Sequence, residues 1–180
     1  MYLDADYRCQ TPLFTEVCAQ FLSFLEEGGG ETLGLPPWAL ELAHYEWVEA
    51  ALLLSDICEP AYNAGGDLFD GVPVLSPQAW PLAYQWPVSE IGPDYLPGQA
   101  PEQPTLLLAR RGSDLQVHFP RLASLAHALL TSLQARECSG REHLQALAEA
   151  IGVDSAEILA QGLDLLENLQ EQGVVLGTRN

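Results

Sequence analysis

Near the start of the chain, apolar residues recur every three or four positions, which is the spacing of an amphipathic helix. Thr11 supplies a cap and Pro12 a first-turn proline, and the glycines that begin at Gly28 are predicted to end the element. The pattern therefore predicts a helix over residues 12–27. Its apolar positions, which we expect to face a core, are Leu13, Val17, Phe21, Phe24 and Leu25.

A second helical pattern begins at Pro36-Pro37 and is predicted to run to about Asp56. Because a short Gly-rich loop joins the two helices, we expect an antiparallel helical pair within residues 1–59. The broad apolar face of the second helix carries Trp38, Leu42, Tyr45, Leu52 and Leu53.

Residues 60–104 are rich in Pro and Gly and contain no basic residue, so long helices are excluded there. The alternation of apolar residues from Leu82 to Val88 predicts one extended strand, at a sheet edge because Pro81 and Pro87 cannot donate to a neighbour. We expect this stretch to be a packed connector. Its aromatic residues are predicted to form a seam between two blocks of structure, and they are Trp80, Tyr84 and Trp86.

After residue 105 the periodicity changes to two short runs, TLLLAR and LQVHF, separated by the turn residues Arg111 to Asp114. This pattern predicts a β-hairpin with Leu115, Val117 and Phe119 on one face.

Three helical patterns follow the hairpin. The first starts at Pro120, and the second and third begin at the capping sequences Ser139-Gly-Arg-Glu142 and Asp154-Ser-Ala-Glu157. The last helix closes at Gly173, after which residues 174–176 can return as a strand. Residues 105–180 are thus predicted to form a winged-helix-like domain, and the chain as a whole an α+β fold that is mainly helical. The helical apolar positions are Leu122, Leu125, Leu129, Leu133, Leu144, Leu147, Ile151, Ile158, Leu159, Leu163, Leu166 and Leu169.

The net charge of the chain limits the classes of partner that it can bind. The chain carries 25 acidic residues against 7 basic ones, all of them Arg, for a net charge of −18. Such a chain repels nucleic acid, and residues 105–180, with a balance of −3, offer no basic face. The longest apolar runs are too short to span a bilayer, so no membrane association is expected.

The first ten residues have neither a secretory nor a transit pattern, so we expect a cytoplasmic protein. The four cysteines are widely spaced and form no C-x-x-C pair, which argues against a zinc site or a redox dithiol. Reduced and mostly buried thiols are the expectation for Cys9, Cys18, Cys58 and Cys138.

Residues 142–173 have helix-turn-helix spacing, which is compatible with DNA binding, with protein or peptide docking, or with a purely structural domain. Between Glu142 and Thr178 there are seven acids and no Lys or Arg, so an approach to phosphate would be repulsive. Docking of an extended peptide on a strand edge beside a helix groove is therefore favoured over DNA binding.

Glu41 and His44 stand at i and i+3 of the second helix, the spacing of carboxylate-bridged di-iron sites. Such a site needs two copies of the motif and the chain has one, so a surface ion pair or a histidine at the core edge is the expected explanation. His118, His127 and His143 belong to no nucleophile signature, and no phosphate-binding Gly motif is present. We therefore expect no catalytic, metal or cofactor site and no enzymatic activity.

Three stretches carry a family likeness: RCQTPLFTEVCAQFLSFL, PWALELAHYEWVEAALLLSD and VPVLSPQAWPLAYQWPVSEIGPDYLP. With the hairpin and helices that follow, the chain resembles the HvfC/BufC family, whose N-terminal part is catalogued as a DNA-binding domain. Members of that family begin with further helices, so the chain looks like a member shortened at its N-terminus. Ser89-Glu90 stands where members often have a basic or His-containing segment.

The resemblance implies a non-enzymatic partner of a multinuclear non-heme iron oxidase, to which the protein presents a Cys-containing ribosomal precursor peptide. The alternative that it implies is a DNA-binding transcriptional regulator. For the peptide, we expect an apolar hairpin edge beside the last helix to be the docking surface. The residues expected to form it are Leu115, Val117, Phe119, Leu159 and Leu163.

Overall fold

A computed structural model of the chain describes residues 14–112 and 114–179. The fold class is α+β and mainly helical, with two small antiparallel sheets in the described part. The helices are α1 (Phe14–Phe24), α2 (Gly30–Thr32), α3 (Ala39–Leu53), α4 (Ser124–Ala135), α5 (Gly140–Ile151) and α6 (Ser155–Glu171). The strands are β1 (Pro73–Leu75), β2 (Ala79–Tyr84), β3 (Thr105–Arg111), β4 (Val117–His118) and β5 (Val175–Thr178).

The chain divides into two compact units. Of the described residues, unit 1 contains those up to Leu54 together with Ala83–Thr105, and unit 2 contains Ser55–Leu82 together with those from Leu106 onward. The connector predicted over residues 60–104 therefore contributes to both units, with the division after residue 82.

In unit 1, α1 packs against α3, as expected for a helical pair. The regular turns of α1 end at Phe24, and a wide π-helical turn, Leu25–Gly29, leads into α2. Gly28 has φ 91°, a left-handed value that favours glycine, so it kinks the chain where the sequence predicted a helix end. The residues before α1, where its predicted start and Leu13 fall, lie outside the described part.

The buried face of α1 differs from the predicted one. Leu22 and Leu25 are buried, whereas Val17 and Phe21 are exposed to 36% and 45%. In α3, Val48 and Leu52 are fully buried, and Leu53 is exposed. The prediction was wrong for Val17, Phe21 and Leu53, because they lie outside the narrow stripe of each helix that is buried among the described residues.

Unit 2 has its core between α4, α5, α6 and β5. The predicted cap of α5 is confirmed, because the Ser139 hydroxyl accepts the N–H of Glu142 and the Glu142 carboxylate accepts the N–H of Ser139. Asp154 caps α6 by accepting the N–H of Ala156. Ile151, predicted to be in the core, is 59% exposed because it ends α5. The core side chains are Leu68, Ala79, Leu108, Leu129, Leu130, Leu133, Leu144, Ala148, Ile158, Leu166, Leu169, Val174 and Val175.

The predicted hairpin and the last strand belong to different sheets. β2, β3 and β4 form one sheet in that order, so β2 is an edge strand as predicted, although it ends at Tyr84 rather than continuing to Val88. β5 pairs instead with β1, a strand of the connector that the sequence pattern did not reveal. Within the described part, the hairpin and the last strand lie in separate sheets, and the winged-helix-like arrangement of residues 105–180 stays a prediction.

Candidate functional site

A groove of about 410 Å³ opens on unit 2 between β1 and the C-terminal end of α4. We call it the β1–α4 groove. Its volume falls in the range of about 300–1,000 Å³ that is typical of binding sites. The residues that line it are Pro60, Pro73, Val74, Leu75, Ser76, Pro77, Ala79, Trp80, Leu133, Gln134, Arg136, Glu137 and Arg179.

One wall of the groove is formed by strand β1 and by the aromatic ring of Trp80, which follows it in the chain. β1 pairs with β5 alone among the described strands, and its turn into β2 places half-buried Trp80 in the lining. The indole Nε1 of Trp80 donates to the carbonyl oxygen of Pro77 at 2.9 Å, which holds the ring relative to the turn. This wall therefore combines extended backbone with a large, oriented apolar surface.

The groove is also lined by positively charged side chains, although the chain as a whole is strongly acidic. Arg136 and Arg179 are two of its seven basic residues, and both line the groove together with a single carboxylate, Glu137. Arg179 donates through Nη2 to Glu137. Because one carboxylate offsets only one of the two guanidinium groups, the groove has a positive balance on a molecule of net charge −18.

Arg136 is held by two residues from the helices behind it. Its Nη2 donates to the Ser132 hydroxyl at 3.1 Å, and that hydroxyl lies 2.7 Å from Nδ1 of His143. The Ser132 hydroxyl therefore links Arg136 to Nδ1 of the buried His143. Burial, and then the Arg136 charge, lower the pKa of His143 and keep the ring neutral, against the smaller opposite effect of Glu142.

The sequence analysis gave no serine partner for His143, and the structure supplies Ser132. The two residues are eleven positions apart on successive helices, a spacing that matches no nucleophile signature. The arrangement positions Arg136 at the groove.

The predicted hairpin is present, but its apolar face is shorter than expected. β4 pairs with β3 in the register Arg110 with His118 and Arg111 with Val117. Leu115 lies in the turn with φ 62° and is 62% exposed, so its predicted place on a strand face was wrong. The turn is held by Asp114, whose Oδ2 accepts from Nε2 of His118 at 2.9 Å. Val117 and Phe119 are half-buried.

Leu159 and Leu163, the helix residues predicted to complete a groove with the hairpin, are half-buried on α6. Leu159 packs against the core, and Leu163 lines a different cavity with Phe69. On the strand side, Nη1 of Arg110 donates to the carbonyl of Gln172, beyond the C-terminal end of α6. A groove that joins the hairpin to Leu159 and Leu163 stays a prediction.

The three aromatic residues of the predicted seam fall in both units. Trp80 belongs to unit 2, whereas Tyr84 and Trp86 belong to unit 1. Tyr84 is buried and Trp80 and Trp86 are half-buried. The packing role proposed for these residues between two blocks stays a prediction.

In unit 1, the Glu41 and His44 pair has a structural explanation that the sequence did not give. The two carboxylate oxygens of Glu41 accept the backbone N–H groups of Gln85 and Trp86, at 3.0 and 2.8 Å. Nδ1 of His44 lies 2.9 Å from the Tyr84 hydroxyl. Burial raises the pKa of Tyr84 well above its usual range and lowers the pKa of His44, which favours the neutral form of both groups. Both side chains thus fasten the segment of residues 84–86 to α3.

The described part of the chain contains no group of three or more His, Cys, Asp or Glu side chains that could hold a metal ion. Its cysteines differ from the expected buried thiols, because Cys18 and Cys58 are exposed and Cys138 is half-buried. Cys18 lies on the uncovered side of α1, and Cys58 follows α3 in a surface loop. Cys9 lies outside the described residues. Among the helices described, none is long and apolar enough to cross a bilayer.

Sequence comparison with known families matched residues 76–170 to the family described as HvfC C-terminal domain. The match covers more than half of the 180 residues and includes Trp80, the hairpin, α4, α5 and most of α6. A search of curated proteins found no match.

Proposed function

Because the chain belongs to the HvfC family, we propose that it is an accessory protein that presents a Cys-containing ribosomal precursor peptide to a multinuclear non-heme iron oxidase. In this proposal the oxidase performs the chemistry. The chain contributes binding and orientation, and it catalyses nothing alone. The family likeness supports the choice of partners, and the β1–α4 groove supports the binding role.

The observation that carries the binding role is the combination of groups in the β1–α4 groove. An extended peptide needs backbone or shape complementarity along a strand, an apolar surface for one anchoring side chain, and a polar group that sets its direction. The β1–α4 groove provides all three: the extended backbone of β1, the oriented indole of Trp80 as the apolar surface, and the guanidinium of Arg136 as the polar group.

The hairpin edge is a second candidate surface for the same peptide. β4 is the last strand of its sheet, and Val117 is half-buried beside that edge. β4 has only two residues and is soon followed by Pro120, so it offers few backbone groups for pairing. The β1–α4 groove is therefore preferred, and variants at Trp80 and Val117 distinguish the two surfaces.

The test is reconstitution of peptide modification. A multinuclear non-heme iron oxidase and a Cys-containing precursor peptide are mixed with the wild-type chain, and modified peptide is measured by mass spectrometry. We expect modification to depend on the chain and to fall at least severalfold with Trp80→Ala. The matched control, Ile151→Ala, truncates an exposed apolar side chain away from the groove and should leave the yield unchanged. Equal yields with and without the chain would contradict the proposal.

A further inference from the structure

A second cavity of about 400 Å³ lies on unit 2 between residues 66–69 and the middle of α6. We call it the Phe69 pocket. It shares no lining residue with the β1–α4 groove. The residues that line it are Gly66, Asp67, Leu68, Phe69, Leu163, Glu167 and Gln170.

Part of the lining of the Phe69 pocket is apolar. Leu68 is buried in the core, and Phe69 and Leu163 are half-buried at the pocket surface. An aromatic ring beside an aliphatic side chain can accept the methylene stem of a long side chain as well as its flat end.

The polar groups of the pocket are hydrogen-bond acceptors of negative or neutral charge. Glu167 is exposed and forms no ion pair or hydrogen bond with any described residue. Asp67 uses Oδ1 to accept the N–H groups of Phe69 and Asp70, and neither bond involves Oδ2. Gln170 donates through Nε2 to the carbonyl of Ala64, a bond that leaves its Oε1 unused. No Arg lines the cavity, although the backbone N–H groups of Asp70 and Phe69 and, to a smaller extent, the charge of nearby Arg141 lower the pKa of Asp67.

Arg141 shows how a guanidinium group binds beside this pocket. The Arg141 guanidinium carbon lies 4.0 Å from the centroid of the Phe69 ring, and its Nε donates to Asp70 at 2.8 Å. Arg141 is not among the residues of the pocket. The pocket offers the part of the ring that faces Leu163, together with the carboxylates of Asp67 and Glu167, and its lining includes no basic side chain.

We propose that the Phe69 pocket receives an arginine side chain of a partner protein. The stem would lie against Leu163 and Phe69, and the guanidinium would meet Glu167 and Asp67, whose acceptor oxygens suit its planar donors. The net charge of −18 attracts a basic partner over distance and opposes association with a second copy of the same chain. The proposal does not depend on the peptide occupying the β1–α4 groove.

The probe is the blocked amino acid acetyl-arginine methylamide, with acetyl-citrulline methylamide as the isosteric neutral comparison. The full chain, labelled with ¹³C at Phe and Leu, is titrated with each and followed by NMR. We expect saturable shifts of Phe69 and Leu163 with the arginine compound, which weaken as salt is raised, and much smaller shifts with citrulline.

Glu167→Gln should weaken the arginine compound about two- to fivefold, the effect of removing a partly exposed ion pair. Glu149→Gln makes the same charge change on the exposed side of α5 and is the matched control. The proposal is overturned if citrulline binds as well as arginine, or if both variants weaken binding equally. Concentration-dependent dimerisation that Glu167→Gln abolishes would also overturn it, since the occupant would then be a second copy.

Discussion

Glu41 and Trp86 are joined across 45 positions of sequence, because Oε2 of Glu41 accepts the Trp86 backbone N–H at 2.8 Å. The other carboxylate oxygen accepts the neighbouring N–H of Gln85. We predict that Glu41→Ala lowers the free energy of unfolding by about 1–3 kcal/mol, since it leaves a part-buried donor without its charged acceptor. Urea unfolding followed by tryptophan fluorescence measures this change.

The matched control is Glu49→Ala, which removes an exposed carboxylate from the same helix. It should change the unfolding free energy by less than about 0.5 kcal/mol, as is usual for surface sites. If both variants unfold at the same urea concentration, Glu41 has no special role in holding residues 85 and 86.

A second prediction concerns pH and the buried His143. Its pKa lies below the ordinary value of 6.5, so the unfolded chain binds a proton more readily than the folded one. The folded state therefore loses stability as pH falls below about 6.5, and the loss stops growing below the folded-state pKa. Between about pH 7.5 and about pH 5.5, this histidine can contribute a loss of at most about 1.4 kcal/mol.

The measurement compares unfolding free energies at the two pH values for the wild-type chain and for His143→Gln. The variant keeps a hydrogen-bonding group beside Ser132 but cannot take up the proton, so its stability should change less with pH. His44 and His127, whose pKa values burial also lowers, contribute equally to both proteins. An unchanged pH dependence in the variant would contradict the conclusion that His143 is buried and neutral in the folded state.

A third prediction tests the packing of α5 at its first residue. A side chain at Gly140 would collide with the backbone carbonyl oxygen of Leu68, which cannot move aside as a flexible side chain could. Gly140→Ala should therefore destabilise unit 2 by about 1–3 kcal/mol, the usual effect of overpacking. Gly65→Ala is the control, because the nearest atom to its added methyl group is 3.8 Å away. Thermal unfolding should separate the two variants, and coincident curves would show that the contact is not tight.

Local sequence signals predicted the helices well because the interactions that start these helices are local. The capping residues Ser139 and Asp154 satisfy backbone N–H groups within their own first turns, so the start of α5 and of α6 could be placed from sequence. The start of α4 was placed too early. After β4 the chain continues beside β3, where the N–H of Leu108 donates to the carbonyl of Pro120, and this pairing delays the helix to Ser124.

Features that depend on distant pairing could not be predicted. β1 has three residues and begins at a proline, which is too short for a periodic pattern, and its partner β5 lies about a hundred positions later. The β1–α4 groove exists because that pairing brings Arg179 to the end of α4. The exposure of Leu115 depends on a left-handed turn conformation that a leucine rarely adopts.

A fourth prediction concerns nucleic acid. The last helix of the helix-turn-helix spacing, α6, carries Glu157, Asp164, Glu167 and Glu171 and no basic residue. We predict no retardation of random duplex DNA at about 150 mM salt and micromolar protein, the weak end of typical non-specific affinity. Retardation under those conditions would favour the DNA-binding regulator instead.

Titration calorimetry of the Cys-containing precursor peptide into this chain tests the central claim most directly. We predict saturable heat for the wild-type chain, affinity at least about tenfold weaker for Trp80→Ala, and no change for Ile151→Ala. If the hairpin edge is the site, Val117→Asp should instead cause the larger loss, about 1–3 kcal/mol from lost burial and a charged strand edge. No heat with the wild-type chain at high micromolar concentration would contradict the proposal that this protein binds the peptide.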